Sequence, residues 1–175
     1  MHIFPGLMNI NRLSILLLIV SSIISLTMPL LFINQLPDLV ASHFNGSGEA
    51  DGWTSKSSLM ITYYSVVSIM ISIFVIIVVL INKIPDNMIN LPNKSYWLEK
   101  SRREESIESI RNYLSWIGIV SILFMVFVFS EIYSANIKRT YNIGDSVWIY
   151  LVILLISIIF IIIKISLRFN KIEKH

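Results

Sequence analysis

The chain has 175 residues, of which 55% are hydrophobic and only 14% charged, with a mean hydropathy of +0.73 and a formal net charge of +3. A water-soluble domain needs more polar surface than this, and the apolar residues come in blocks of about twenty, the length that crosses ~30 Å of hydrocarbon. With no cysteine in the chain, disulfides, thiolate chemistry and cysteine-bound metals are excluded.

These limits specify an all-α polytopic membrane protein, with residues 1–175 forming one four-helix domain whose first partner is the lipid bilayer. The heavy use of isoleucine and the scarcity of alanine fit an A+T-rich bacterial genome. The first span is expected over residues 13–33. Its apolar run is too long for a cleaved signal peptide, and no small-x-small site closes it, so it is read as a retained helix. Pro29, near its end, frees a backbone carbonyl and is expected to disturb the last turn. The other spans are expected over residues 58–81, 112–133 and 147–163, with a short hairpin over 134–146 and a basic tail over 164–175.

Lysine and arginine set the orientation. Eleven fall in the N-terminal segment, the connection over 82–111 and the tail; three, Lys56, Lys138 and Arg139, fall in the other two connections. Positive residues favour the cytoplasmic side, so both termini and the long connection are expected inside, with residues 34–57 and 134–146 extracytoplasmic. Apolar area does not drive helices together in lipid, so small and hydroxyl side chains are expected to form the packing faces. Candidates are Ser14, Ser21 and Ser25 in the first span, Ser65, Ser68 and Ser72 in the second, and Ser115, Gly118 and Ser121 in the third. No span carries a mid-membrane acid or base. Glu131 lies near the outer end of its helix, and Lys164 sits where it can snorkel to headgroups.

In the connection, Pro85 and Pro92 bias their preceding residues toward extended backbone. Tyr96 and Trp97 form an aromatic pair suited to headgroup depth. Ser101-Arg102-Arg103-Glu104 has the form of a capping box, with acids in the first turns that follow, so a helix is expected from Ser101 into the third span. The connection's charges nearly cancel, which argues against nucleic acid.

Between the first two spans lies LPDLVASHFNGSGEADGWTSK, residues 36–56. Pro37 is expected to end the first helical segment, and DLVASHF to extend over the membrane surface. Asn45-Gly46 and Gly48 supply a tight turn, Trp53 suits the interface, and Thr54 or Ser55 can cap the second span. Lys56 at that helix N-terminus opposes the dipole and needs an anion, for which Asp51 is the nearest candidate. His43 with Asp38, Glu49 and Asp51 invites a metal reading. There is neither an H-E-x-x-H nor a second nearby histidine, and the EF-hand spacing is missed, so neither metal nor cofactor is expected.

Leu36, Pro37, His43, Phe44, Gly48, Asp51, Gly52 and Lys56 together resemble the uncharacterised N-terminal membrane domain of the SdpI-type bacteriocin immunity proteins, which also occurs alone in bacterial membrane proteins. The stretch with Asn90, Leu91, Pro92, Asn93, Tyr96, Trp97, Arg102, Arg103 and Glu104 is similar to the stand-alone branch. The resemblance covers roughly residues 10–120, and the second half of full-length immunity proteins is not found. It implies a membrane domain with no established catalytic residues. The chain is therefore expected to be a non-enzymatic protein of the cell membrane, engaged in envelope protection, immunity to a membrane-active peptide or sensing, with a peptide or membrane-protein partner. The alternative is a small transporter, or an accessory subunit of a membrane complex, acting as an oligomer. An enzyme is disfavoured because no span holds a histidine beside a nucleophile or a pair of aspartates.

Overall fold

The computed structural model describes the backbone of residues 5–172 and the side chains of residues 12–172. Lys174, counted in the basic tail, lies outside the described residues. Four long helices account for most of the chain: α1 (Pro5–Thr27), α2 (Lys56–Leu80), α4 (Arg103–Ile137) and α5 (Ser146–Asn170). Each is part of a segment long and apolar enough to cross a membrane, as in a multi-pass membrane protein. A four-residue helix, α3 (Lys94–Trp97), and a two-stranded antiparallel sheet, β1 (Leu39–Phe44) and β2 (Ala50–Ser55), complete the fold. The sheet is an addition to the all-helical class expected from composition.

The third and fourth helices are longer than their hydropathy suggests. Residues 103–111 and 164–170 are polar enough to escape an apolar window, yet they continue the helical hydrogen-bond ladder. The first helix instead ends before its expected boundary. Its α-helical part ends at Thr27, ten residues before Pro37, and passes into a 3₁₀ turn, Met28–Leu31. Pro29 causes this, because it has no N–H to donate to the carbonyl four residues back. That carbonyl belongs to Ser25, and the buried Tyr63 hydroxyl of α2 donates to it at 2.6 Å. A helix break in one span thus becomes a hydrogen bond to the next, around which Tyr63, Phe129, Tyr133 and Phe32 pack with ring centroids 4.7–6.2 Å apart.

The helix α4 is central: α1, α2 and α5 all pack against it. Ser14, Ser21 and Ser25 on α1 and Ser115 and Gly118 on α4 are buried as expected, with Ser121 half-buried. Ser21 and Ser115 return their hydroxyl protons to carbonyls of their own helix, which removes the polar cost of burying them in lipid. Ser65, Ser68 and Ser72 reverse the expectation. All three are exposed, because α2 turns Leu59, Tyr63, Val67 and Val78 inward, and that face lies on the opposite side of the helix from the serines.

Gly118 sits where three helices meet. A Cβ there would lie 2.9 Å from both Leu18 Cδ1 of α1 and Phe74 Cγ of α2. Gly118→Val is therefore expected to destabilise the bundle by about 1–3 kcal/mol, seen as a lower thermal midpoint in detergent. An unchanged midpoint would show that the helices do not approach this closely.

Candidate functional site

The candidate residues gather at the two ends of the bundle. At one end, β1 and β2 form a hairpin. Asn45 closes its turn: its side-chain oxygen accepts from Ser47 N at 2.9 Å and Glu49 N at 3.1 Å, and its carbonyl accepts from Gly48 N. Gly48 takes φ +78°, and a Cβ there would come 3.3 Å from Asn142 Oδ1, so both backbone and space call for glycine. The segment expected to lie extended over the membrane surface is instead β1. It pairs Leu39 with Ser55, Val40 with Thr54 and Ala41 with Trp53.

The pairing slips twice. Ser42 is an extra residue on β1 and Asp51 an extra residue on β2, and the two slips offset each other. Such bulges re-aim neighbouring side chains, and here His43 Nδ1 meets the Asp51 carboxylate. Gly52 stands opposite His43, where a Cβ would lie 2.8 Å from His43 Cβ. His43, Asp51 and Gly52 are thus one cross-strand unit. Asp38 lies elsewhere, beside Lys56, so the four residues considered for a metal do not converge; among the described residues no group of three or more His, Asp or Glu does.

Lys56 does not meet Asp51. Antiparallel pairing puts the end of β2 beside the start of β1, so the Lys56 ammonium donates to Leu36 O at 3.2 Å and approaches Asp38 at 3.8 Å. The Asp38 side chain is fully exposed, so solvent screens that ion pair and it adds little. Ser55 caps α2, accepting from Ser58 N at 3.1 Å. Pro37 is half-buried after the buried Leu36, and Phe44 packs partly against the bundle core.

Two contacts fix the hairpin to the helices. Asn136, fully buried near the end of α4, accepts from Ala41 N at 2.7 Å and donates to Ala41 O at 2.9 Å and Ile132 O at 2.9 Å. Its carboxamide acts as one residue of a third strand, satisfying the outer edge of β1. The loop between α4 and α5 does the same for the turn: Ala50 N donates to Tyr141 O at 2.9 Å, Ile143 N donates to Gly48 O at 3.0 Å, and Trp53 meets the Tyr141 ring edge-on. Between the turn and the start of α5 lies a cavity of about 340 Å³ lined by Phe44, Asn45, Gly46, Ile143 and Trp148.

At the other end the second motif forms a latch. Asn93, at φ 52°, and Trp97 aim their side-chain N–H groups at the last carbonyls of α5. Asn93 Nδ2 donates to Phe169 O at 3.0 Å and Asn170 O at 3.2 Å, and Trp97 Nε1 donates to Phe169 O at 2.8 Å. Helix ends leave such carbonyls without intrahelical partners; here another segment supplies the donors. Arg168 pairs with Glu105 at 2.7 Å and Phe169 is wholly buried against Trp97. Trp97 is therefore a packing and hydrogen-bonding residue.

The arginines hold this platform in place. Arg102 donates to Tyr96 O, stacks over the Tyr96 ring at 3.9 Å and pairs with Glu99. Arg103 binds Asp86 at 2.8 Å and Ile84 O at 3.2 Å, and Arg111 reaches Val78 O in the last turn of α2. The expected capping box does not form. The turn at Glu99 already accepts from Arg102 N and Arg103 N, so α4 begins at Arg103 with Ser101 and Glu104 exposed. Ile84, before Pro85, is extended as expected, though a 3₁₀ turn (Asp86–Met88) follows. Asn90 is exposed and Pro92 half-buried in the turn that leads to Asn93.

Residues 20–63 match the model of a domain of unknown function, DUF1648. The match runs from the middle of α1 through the hairpin into the start of α2 and does not include the latch. No curated protein matches the chain, nor does any solved structure. Asn136, Tyr141 and Phe169 escaped the sequence reading. Asn136 carried the one available signal, as an amide side chain just past the apolar run of the third span.

Trp97→Ala removes one donor and the wall against Phe169. Tryptic cleavage after Arg168 and Lys171 is expected to speed up about tenfold, the effect of losing a buried hydrogen bond of ~1–2 kcal/mol. An unchanged cleavage rate would contradict the latch.

Proposed function

We propose that this chain is a non-enzymatic protein of the bacterial cytoplasmic membrane that protects the envelope by recognising a membrane-active peptide with its hairpin. The lysine and arginine asymmetry supports an extracytoplasmic hairpin, with the latch and both termini inside. The observation that carries the reading is the doubly clamped hairpin. It holds Leu39 and Trp53 out from the bundle, 62% and 46% exposed. Rigid apolar side chains on an ordered backbone suit binding, because little freedom is lost on contact. The resemblance of the hairpin segment, at His43, Phe44, Gly48, Asp51 and Gly52, to SdpI-type immunity proteins supports a peptide ligand. A non-enzymatic role is supported by the spans, which hold no histidine to activate a hydroxyl and no pair of aspartates.

A second reading, an accessory subunit of a membrane complex, is favoured by the outward stripe of Ser65, Ser68 and Ser72. Hydroxyls facing lipid are suited to interhelical contact with another protein.

One experiment separates the two. A strain lacking the protein is challenged with a panel of membrane-active peptides, then complemented with the native chain or with Leu39→Ala/Trp53→Ala at equal membrane level. The first reading expects increased sensitivity to at least one peptide, restored by the native chain and not by the variant. Unchanged sensitivity across the panel, together with co-purification of a stoichiometric membrane partner, would replace it with the second.

A further inference from the structure

The helix α5 packs chiefly against α4, and along their seam the two leave an open groove in two stretches. One, of about 230 Å³, is walled by Leu123, Phe124, Phe127 and Ile153. The other, of about 730 Å³, is walled by Tyr113, Trp116, Ile156 and Phe160. Val120 and Ser157 line both, so the stretches join. From Asn112 to Phe127 the groove follows α4 for about 22 Å at 1.5 Å per residue. That exceeds the ~15 Å depth of hydrocarbon in one leaflet.

The groove is amphipathic. Its upper stretch is almost wholly apolar, since the Ser157 hydroxyl is spent on Ile153 O at 2.7 Å. Its lower end gathers polar groups that the protein leaves unsatisfied. Lys164 lines the mouth. Its ammonium stands 5.3 Å from the Phe160 ring centroid and pairs with no carboxylate among the described residues. Asn112 lines the same end, and its side-chain oxygen is buried without a hydrogen-bond partner. The nearest arginine on α5, Arg168, is already committed to Glu105. Lys164 lies six residues before the end of α5, about 9 Å along the axis, from where its long side chain can snorkel to headgroups.

A long apolar slot ending in one uncompensated cation and a buried, unpaired acceptor matches an amphiphile with an anionic head that also carries hydroxyls. We propose that the α4/α5 seam is a binding groove for an anionic phospholipid such as phosphatidylglycerol. One acyl chain lies against Trp116, Val120 and Phe124, the phosphodiester meets Lys164, and a headgroup or glycerol hydroxyl donates to Asn112. The lipid thereby covers the face of α5 that the protein leaves open and ties that helix to α4. This inference does not depend on the peptide-binding reading or on which end of the protein faces the cytoplasm.

The test uses the full chain in detergent, titrated with phosphatidylglycerol or phosphatidylcholine of identical chains and followed by native mass spectrometry. The first phosphatidylglycerol is expected to bind about fivefold tighter than phosphatidylcholine, the preference that one lysine confers on an anionic headgroup. Lys164→Gln should erase the preference, and Lys138→Gln, exposed beyond the other end of α4, should keep it. Brominated chains locate the lipid: the fluorescence lost in Trp116→Phe should be the component quenched more by brominated phosphatidylglycerol than by brominated phosphatidylcholine. Equal affinity for the two lipids, a preference that survives Lys164→Gln, equal quenching of Trp116, or a dimer that buries the seam without lipid would each overturn the proposal. A thermal midpoint for Lys164→Gln equal to that of the native chain confirms that the exposed substitution leaves the fold intact.

Discussion

The carboxamide of Asn136 gripping the backbone of Ala41 is the contact on which the hairpin end depends. A two-stranded hairpin alone is marginal in water, and its outer edge exposes backbone groups that must find partners. Here the edge at Ala41 is wholly buried, where an unsatisfied N–H or carbonyl costs about 1–3 kcal/mol. One side chain answers both groups and anchors itself to Ile132 O of its own helix. The bulge at Ser42 follows directly after Ala41 and begins the turn of β1 toward Asp51. The position of the hairpin, and with it the exposure of Leu39 and Trp53, is set from α4.

The same helix organises the opposite end. Arg103 and Arg111, on its first turns, reach the backbone that follows and ends α2, and Glu105 holds Arg168 of α5. Between the ends, Gly118 admits α1 and α2 to close approach. The helix α4 thus spans the whole bundle, with polar contacts at both ends and a small residue where the packing is tightest. This arrangement suits a bilayer, where apolar area does not hold helices together and polar contacts and small residues must.

Four helices long and apolar enough to span, and a polar segment between the first two, were legible in the sequence because hydropathy and length respond to the one constraint lipid imposes. So were the turn at Asn45–Gly48, the cap at Ser55 and the disturbance at Pro29, each of which rests on local backbone chemistry. The hairpin was not, since ADGWTS shows little alternation and its pairing is fixed by Asn136 and Tyr141, distant in the chain. The Asp51–Lys56 contact failed for the same reason: proximity in sequence suggested it, and antiparallel pairing separated the two. The capping box failed because the turn at Glu99 delays the start of α4 to Arg103, which leaves Ser101 and Glu104 outside cap register. The serines of α2 show the limit of composition, which marks a residue as suited to packing and leaves open which face finds a partner.

Amide hydrogen exchange in the Asn136→Ala variant tests the central claim most directly. The account predicts that protection across Leu39–Phe44 falls at least about tenfold, as expected for loss of ~1–3 kcal/mol of buried hydrogen bonding, while α2 and the middle of α4 keep theirs. Protection of the hairpin equal to that of the native chain would contradict it.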